Sequence, residues 1–332
     1  MKFGVNLPQY EAFGDARVLA QLAHDAEAAG WDAFFIWDHI LFDDLWHPMV
    51  DPWVALTAIA VNTQHIRIGT MVTPLARRRP WKVARETTSI DRLSGGRLTL
   101  CVGLGDPAGW EYGFFGEPTD AKIRAQKLDE GLDILTGLWS GDHFSYQGAH
   151  YELQAMRFLP TPVQSPRIPI WVGGYWPRRA PFRRAARWDG VCPGGLDGPL
   201  TPGDWRDILA YIRAHRSSDA PFDAVHGGRT PGGDPAQAAD IVAQYSEAGV
   251  TWWIEDLSPY GFGLGWGDRW TPAVVEQIKE RLWQGPPGME SKQWATEDCL
   301  GSGQPKVAWV VGNRRLLGQQ VLRRLGREVR SR

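Results

Sequence analysis

The sequence predicts an α/β fold, a (β/α)8 TIM barrel carrying an inserted β-hairpin and a C-terminal extension, on three observations. Short β-branched runs alternate with longer amphipathic stretches, the pattern of βα units around a parallel sheet. Eight such units fit within about 285 residues, a usual length for a closed barrel. The turn after the first strand, NLPQYEAF, lacks the GxGxxG that opens a doubly wound dinucleotide-binding sheet.

The first strand is KFGVNLP. A helix over 15–29 follows, with Asp15 as N-cap, Leu19, Leu22, Ala23 and Ala26 at helical spacing, and Gly30 as its stop. AFFIW forms the second strand and ends at Asp38. A helix over 52–62 leads to HIRIGTMVT, and a helix over 81–93 leads through SGGR to RLTLCVGLG. The long helix over 121–139 gives way to FSYQGAHYEL, whose alternation around Gln147 and Gly148 reads as a hairpin inserted into the series. The series resumes with IPIWVGG, a helix over 178–187, DGVCPGG, a helix over 202–215, FDAVHGG, a helix over 235–247, VTWWIEDL and a helix over 272–283.

These units assign residues 1–286 to the barrel and 287–332 to a basic extension. From Gly288 onward nine Lys or Arg face four Asp or Glu, a balance of +5, so the chain's net −2 leaves −7 for what precedes. The tail holds a strand-like run, KVAWVVG, and a stretch with Leu316, Leu317, Val321, Leu322, Leu325 and Val329 on one side and arginines on the other. It reads as a terminal extension packing loosely on the barrel rather than as a membrane-surface helix.

Composition excludes several classes. A hydrophobic share of 43% with 22% charged residues rules out a disordered or collagen-like chain. Net charge near zero, with no basic stripe through the first 280 residues, rules against nucleic acid as a partner. Cys101, Cys192 and Cys299 are odd in number and far apart, which suggests neither a disulfide framework nor a CxxC metal site and fits a reducing, cytoplasmic setting. The start, MKFGVNLPQY, has no apolar signal region, and no apolar run approaches the ~20 residues of a membrane span. Eighteen tryptophans against twelve phenylalanines suit a cleft for flat or apolar ligands.

In a (β/α)8 barrel the ligand sits at the C-terminal ends of the strands. Asp38 and His39 follow the second strand, where a histidine exchanges protons near neutral pH and a neighbouring acid can orient it. The plainer reading has Asp38 capping the next segment and His39 filling the mouth. Gly173 and Gly174 close IPIWVGG and offer uncrowded backbone N–H groups to a phosphate, or simply make a tight turn. Asp106, Glu111 and Glu255 are candidate acids or cofactor partners, although Asp106 suits a turn before Pro107 and Glu111 a helix start. No histidine shows metal-ligand spacing, so no metal site is expected.

The strings FFIWDHI, DPWVALTAIAVNTQHIRIGTMVTPLARRRPWKVARETTSIDRLSGGRLTLCVGLG, LDEGLDILTGLWSG and RIPIWVGG with AARWDGVCP, in this order and spacing, resemble the bacterial luciferase-like family of flavin- and deazaflavin-dependent oxidoreductases. The resemblance runs from about Lys2 to Pro286. It implies a barrel that binds FMN or the deazaflavin coenzyme F420 at its mouth. His39 matches the histidine that stands by the reactive ring in deazaflavin-dependent relatives, and Asp38 the acid before it. Asp106 falls where some sugar-phosphate dehydrogenases of the family place a glutamate, a departure from their pattern. Gly69, Thr70, Met71 and Val72 match a third-strand bulge that in relatives often contains a non-proline cis peptide and backs the cofactor ring. Gly173 and Gly174 match backbone phosphate contacts. Asn6 and Cys192, at the ends of the first and sixth strands, complete the cofactor-binding candidates.

The resemblance implies hydride transfer if the cofactor is deazaflavin and insertion of one oxygen atom if it is reduced FMN. The expected partners are a small-molecule substrate and a second copy of the chain in a homodimer. Two other readings remain: a barrel glycoside hydrolase using two of Asp106, Glu111 and Glu255, and a flavin-binding protein without turnover whose tail covers the mouth or mediates assembly.

Overall fold

The structure is a computed structural model and describes residues 1–42, 47–265 and 268–288. The extension expected over 287–332 therefore lies, from residue 289 on, outside the described residues. The described residues form one compact unit.

Ten strands are described: β1 Lys2–Leu7, β2 Ala33–Ile36, β3 Arg67–Pro74, β4 Leu98–Gly103, β5 Phe144–Gln147, β6 Glu152–Met156, β7 Ile170–Trp176, β8 Gly190–Gly195, β9 Asp223–Gly228 and β10 Trp252–Asp256. Eight of them close a barrel in the order β1-β10-β9-β8-β7-β4-β3-β2, each paired in parallel to its neighbours. The antiparallel pair β5 and β6 is the inserted hairpin. The helices are α1 Ala16–Ala28, α2 Pro52–Asn62, α3 Pro80–Leu93, α4 Ala108–Glu111, α5 Ala121–Trp139, α6 Arg179–Ala185, α7 Pro202–His215, α8 Pro235–Glu247 and α9 Pro272–Trp283. All but the single turn α4 follow the sequence expectation.

Local chemistry sets these boundaries. The side chain of Asp15 accepts from the Arg17 N–H, and Asp51 and Asp120 cap α2 and α5 in the same way. Proline occupies the first turn of α2, α3, α7, α8 and α9, where its missing N–H has no partner to lose. Gly30 ends α1 at φ 92°, a left-handed conformation that glycine adopts without a Cβ penalty.

Alternation along each strand sorts the core into two layers. Val5, Leu7, Phe34, Ile36, Ile68, Leu100, Ile170 and Val172 face the helices. Ala33, Phe35, Cys101, Trp171, Val225, Trp252 and Ile254 fill the barrel, with Met71, Val72 and Cys192 against them. Trp171 and Trp252 pack edge to face at 5.4 Å, and their indole N–H groups donate to the two carboxylate oxygens of Asp223 at 3.1 and 3.0 Å. The expectation that tryptophan lines the cleft needs correction here, because Trp171, Trp205, Trp252 and Trp253 are among the largest fully buried side chains. Burying such rings supplies several kcal/mol each and plugs the lower barrel.

The upper barrel is open for the opposite reason, small side chains. Gly227 lies two residues beyond the inward Val225, and a Cβ built on it meets nothing within 4 Å. Gly103 and Gly173 face inward by the same alternation. Cβ atoms there would lie 2.7 and 3.1 Å from the methyl groups of Val72.

Candidate active site

Between Thr70 and Thr73 the pairing of β3 with β4 slips by one residue, and the Met71–Val72 peptide is cis. The extra residue brings both Met71 and Val72 against the barrel interior. The Gly69–Val72 segment thus has the bulge expected of it, but its members differ in role. Gly69 is where β3 runs closest to its neighbours, since a Cβ would fall 2.2 Å from the Thr99 carbonyl oxygen and against Phe35. Thr70 faces away from the mouth, with its hydroxyl 2.6 Å from that of Thr73.

His39 leaves the end of β2 with its carbonyl accepting from Gln9 Nε2 at 2.9 Å. Its Nδ1 lies 2.7 Å from Glu111 Oε1, an oxygen that also receives the Ile40 N–H at 3.4 Å. The other oxygen of Glu111 bonds Arg77 Nη1, and Arg77 Nη2 reaches Asp38 Oδ1 at 2.5 Å. Arg78 adds a second guanidinium to Asp38 Oδ1 at 2.7 Å. The side chains of Asp38 and Glu111 are fully buried, so two carboxylates and two guanidiniums balance inside the protein. Glu111 accepts from Nδ1–H and so sets the tautomer, which leaves Nε2 as the ring nitrogen with a free lone pair.

Two sequence expectations change here. Asp38 does not orient the His39 ring; its carboxylate is held by Arg77 and Arg78, and the acid at the ring is Glu111. Glu111 ends α4 rather than starting a helix. Arg77 and Arg78 were missed by the sequence reading. They come from the turn after β3, and the signal was the RRR run at a strand end, where buried acids require cations.

The remaining candidates scatter. Asp106 is exposed in the loop after β4, close enough to Tyr175 that it joins burial in pushing that phenol up. Glu255 points away from the mouth, its carboxylate held by the Thr230 N–H and hydroxyl, the Trp253 indole and Arg281. Glu111 is likewise engaged, so the carboxylates proposed for glycoside hydrolysis do not form a free acid–base pair. Asn6 reaches the interior, where its Oδ1 is buried without a partner among the described residues. Cys192 lies beside Cys101, whose thiol is pushed up by burial and then by Cys192, and so stays protonated and apolar.

Gly173 and Gly174 are not at a helix start. They lie inside β7, paired with Cys192 and Pro193 of β8, and the strand continues to Trp176. A Cβ on Gly174 would sit 2.2 Å from Pro181 Cβ, so this glycine is where β7 meets α6. Gly173 remains part of the cradle around Val72.

Met71 and Val72 pack against the barrel interior, and Gly103 of β4, Gly173 of β7 and Gly227 of β9 face the same side with no side chain of their own. No helix among the described residues is long and apolar enough to cross a membrane.

Known proteins resemble this chain in sequence and fold. An uncharacterized protein of Mycobacterium tuberculosis is 34% identical over 233 residues, 64% of this chain and 77% of the relative. The F420-dependent glucose-6-phosphate dehydrogenase of Gordonia bronchialis is 32% identical over 194 residues, 56% of this chain and 55% of that enzyme. Among solved structures, the coenzyme F420-dependent tetrahydromethanopterin reductase of Methanopyrus kandleri superposes with a TM-score of 0.66 at 17% identity, over 86% of this chain and 98% of that one. The monooxygenase RslO1 of Streptomyces bottropensis gives 0.58 at 22% identity, over 75% and 77%. These two show the fold. The sequence profile of the luciferase-like monooxygenases matches residues 1–221, two thirds of the chain, and the protein therefore belongs to the luciferase-like family of flavin- and deazaflavin-dependent oxidoreductases.

Proposed function

We propose that the protein is a deazaflavin-dependent oxidoreductase that exchanges a hydride with a small organic substrate while His39 handles the accompanying proton. The observation that carries this reading is the His39 ring itself, clamped by buried Glu111 at Nδ1 while Nε2 has no partner among the described residues. When bound, the deazaflavin supplies hydride chemistry. Met71, Val72, Gly103 and Gly173 would hold its ring. Backbone at Gly173 and the Arg178 side chain, at the turn between β7 and α6, would meet its phosphate. Arg77 holds Glu111 and Asp38 in place, and Glu111 in turn fixes the plane of the His39 imidazole. The name of the Gordonia relative supports the choice of coenzyme.

Monooxygenation with reduced FMN is the second reading, favoured by the description of the family profile. The same cradle and imidazole serve it. Anaerobic mixing of protein, oxidised deazaflavin and substrate, followed by visible absorbance, separates the two. Substrate-dependent bleaching that disappears in His39→Ala while the coenzyme stays bound supports hydride transfer. Absence of bleaching, together with substrate-dependent oxygen uptake on reduced FMN, replaces it by oxygen insertion.

A further inference from the structure

We propose that Cys101 and Cys192 form a two-coordinate site for a soft monovalent cation of the Cu(I) type at the floor of the barrel mouth. The site goes beyond the oxidoreductase reading and does not depend on it.

The first observation is how the fold brings the two thiols together. Cys101 stands on β4 and Cys192 on β8, the strands on either side of β7. Both side chains face the barrel interior, Cys101 as part of its apolar filling and Cys192 packed against it. On β7, Cys101 is level with Trp171 and Cys192 with Gly173. Gly173 places no side chain between them, and the Cys101 thiol lies within hydrogen-bond reach of the Cys192 sulfur. The backbones stay apart. Two strand spacings of about 4.8 Å put them about 9 Å from each other around the barrel, beyond the ~7 Å that a disulfide bridges. Touching sulfurs on backbones too distant for a disulfide suit an ion held between them. A linear sulfur–metal–sulfur unit with bonds of about 2.3 Å spaces its sulfurs about 4.6 Å apart, a distance that small side-chain shifts reach.

The second observation is the donor set. The surroundings of the two thiols offer hydrocarbon, the Met71 thioether and the indoles of Trp171 and Trp252, whose N–H groups are engaged by Asp223. Oxygen-seeking Mg(II) and Ca(II) find no free ligand there. Among the described residues no three or more His, Cys, Asp or Glu gather where they could hold a metal, so Zn(II), which takes four ligands, is not served either. Soft thiolate donors select Cu(I). Each ligating thiol gives up its proton to solvent as the ion binds, so one positive and two negative charges replace two neutral groups. Arg67, whose positive charge acts on Cys101, offsets the remaining negative charge. Cys192 is half-buried and Cys101 fully buried, so the ion enters from the mouth and meets Cys192 first.

The test titrates Cu(I) anaerobically into full-length, fully reduced protein carrying Cys299→Ser, which removes the third thiol, with bathocuproine disulfonate as the competing chromophoric chelator. One Cu(I) per chain should be withheld from the chelator, and Zn(II) should not be retained. Adding Cys192→Ser or Cys101→Ala should weaken copper binding at least about hundredfold, more than the loss of an outer-shell partner brings. Thermal unfolding of the same proteins shows which are folded; Cys192→Ser, at a half-buried position, decides the matter if Cys101→Ala does not fold. No copper withheld, copper withheld equally with and without Cys192→Ser, or Zn(II) bound as tightly as Cu(I) overturns the proposal. Coenzyme and substrate are absent from every arm, so neither result bears on the oxidoreductase reading.

Discussion

Glu111 Oε1 stands 2.7 Å from His39 Nδ1 although 72 residues separate them, and the contact fixes the orientation of a strand-end histidine. A histidine free to rotate can offer either nitrogen. With Nδ1 tied to a buried carboxylate, one tautomer and one ring plane are selected before any ligand arrives. The lock extends outward through Arg77 to Asp38, so residues from the ends of β2, β3 and β4 hold one another.

Glu111→Gln should therefore leave coenzyme affinity near wild type and lower turnover by about 10²–10⁴-fold, the range of a general acid–base contribution, because the carboxamide no longer enforces the tautomer. Steady-state kinetics beside a coenzyme titration measure both. An unchanged kcat would place the proton donor elsewhere at the mouth.

Arg77→Met should destabilise the fold by about 3–5 kcal/mol, since it strands the buried Glu111 carboxylate and removes one of the two cations on Asp38. Arg229→Met breaks a pair whose side chains are 44% and 31% exposed and should cost less than about 1 kcal/mol. Denaturant unfolding of the two variants compares them directly. Equal losses would mean that the Arg77 network is as solvated as the surface pair.

Two glycines should respond oppositely to enlargement. Gly227→Leu projects into open space, so stability should hold while coenzyme affinity falls at least about tenfold, one buried side chain's worth of blocked contact. Gly174→Ala places its Cβ against Pro181 and should lose about 1–3 kcal/mol of stability by overpacking. Thermal unfolding and coenzyme titration of both proteins decide. Unimpaired coenzyme binding by Gly227→Leu would move the ring away from β9.

His226 gives a pH signature independent of catalysis. Burial lowers its pKa to about 4 from 6.5, and its Nδ1 accepts the Trp205 indole N–H at 3.0 Å, so the folded protein holds it neutral. Between pH 6.5 and 4 the unfolded chain binds the extra proton, so stability present above pH 6.5 is lost as pH falls through that window, by about 3 kcal/mol in all. His226→Gln should flatten this part of the stability–pH curve. An equally steep curve in the variant would assign the slope to other groups.

Much of the barrel was legible because period and caps are local. The eight βα units, the hairpin around Gln147 and the bulge at Met71 and Val72 appear at the expected positions. The end of β7 was not, because Gly173 and Gly174 look like a turn in sequence, and only pairing with β8 keeps them extended. His39 could be picked out by its place after β2. Its partner could not, since the link to Glu111 depends on how the loop after β4 folds over the mouth, and nothing in GDPAGWE specifies that path. Arg77 and Arg78 were hidden for the same reason. An arginine run before a helix proline reads as solvated surface until two buried carboxylates are found beside it.

The most direct test of the central claim, that this mouth takes a deazaflavin beside His39, is a spectroscopic titration of the purified protein with oxidised coenzyme F420 and, separately, with FMN. The account predicts saturable binding of the deazaflavin with a shifted visible band, at least about tenfold tighter than FMN, and loss of that binding in Gly227→Leu. Failure of both coenzymes to bind, or binding untouched by Gly227→Leu, would contradict it.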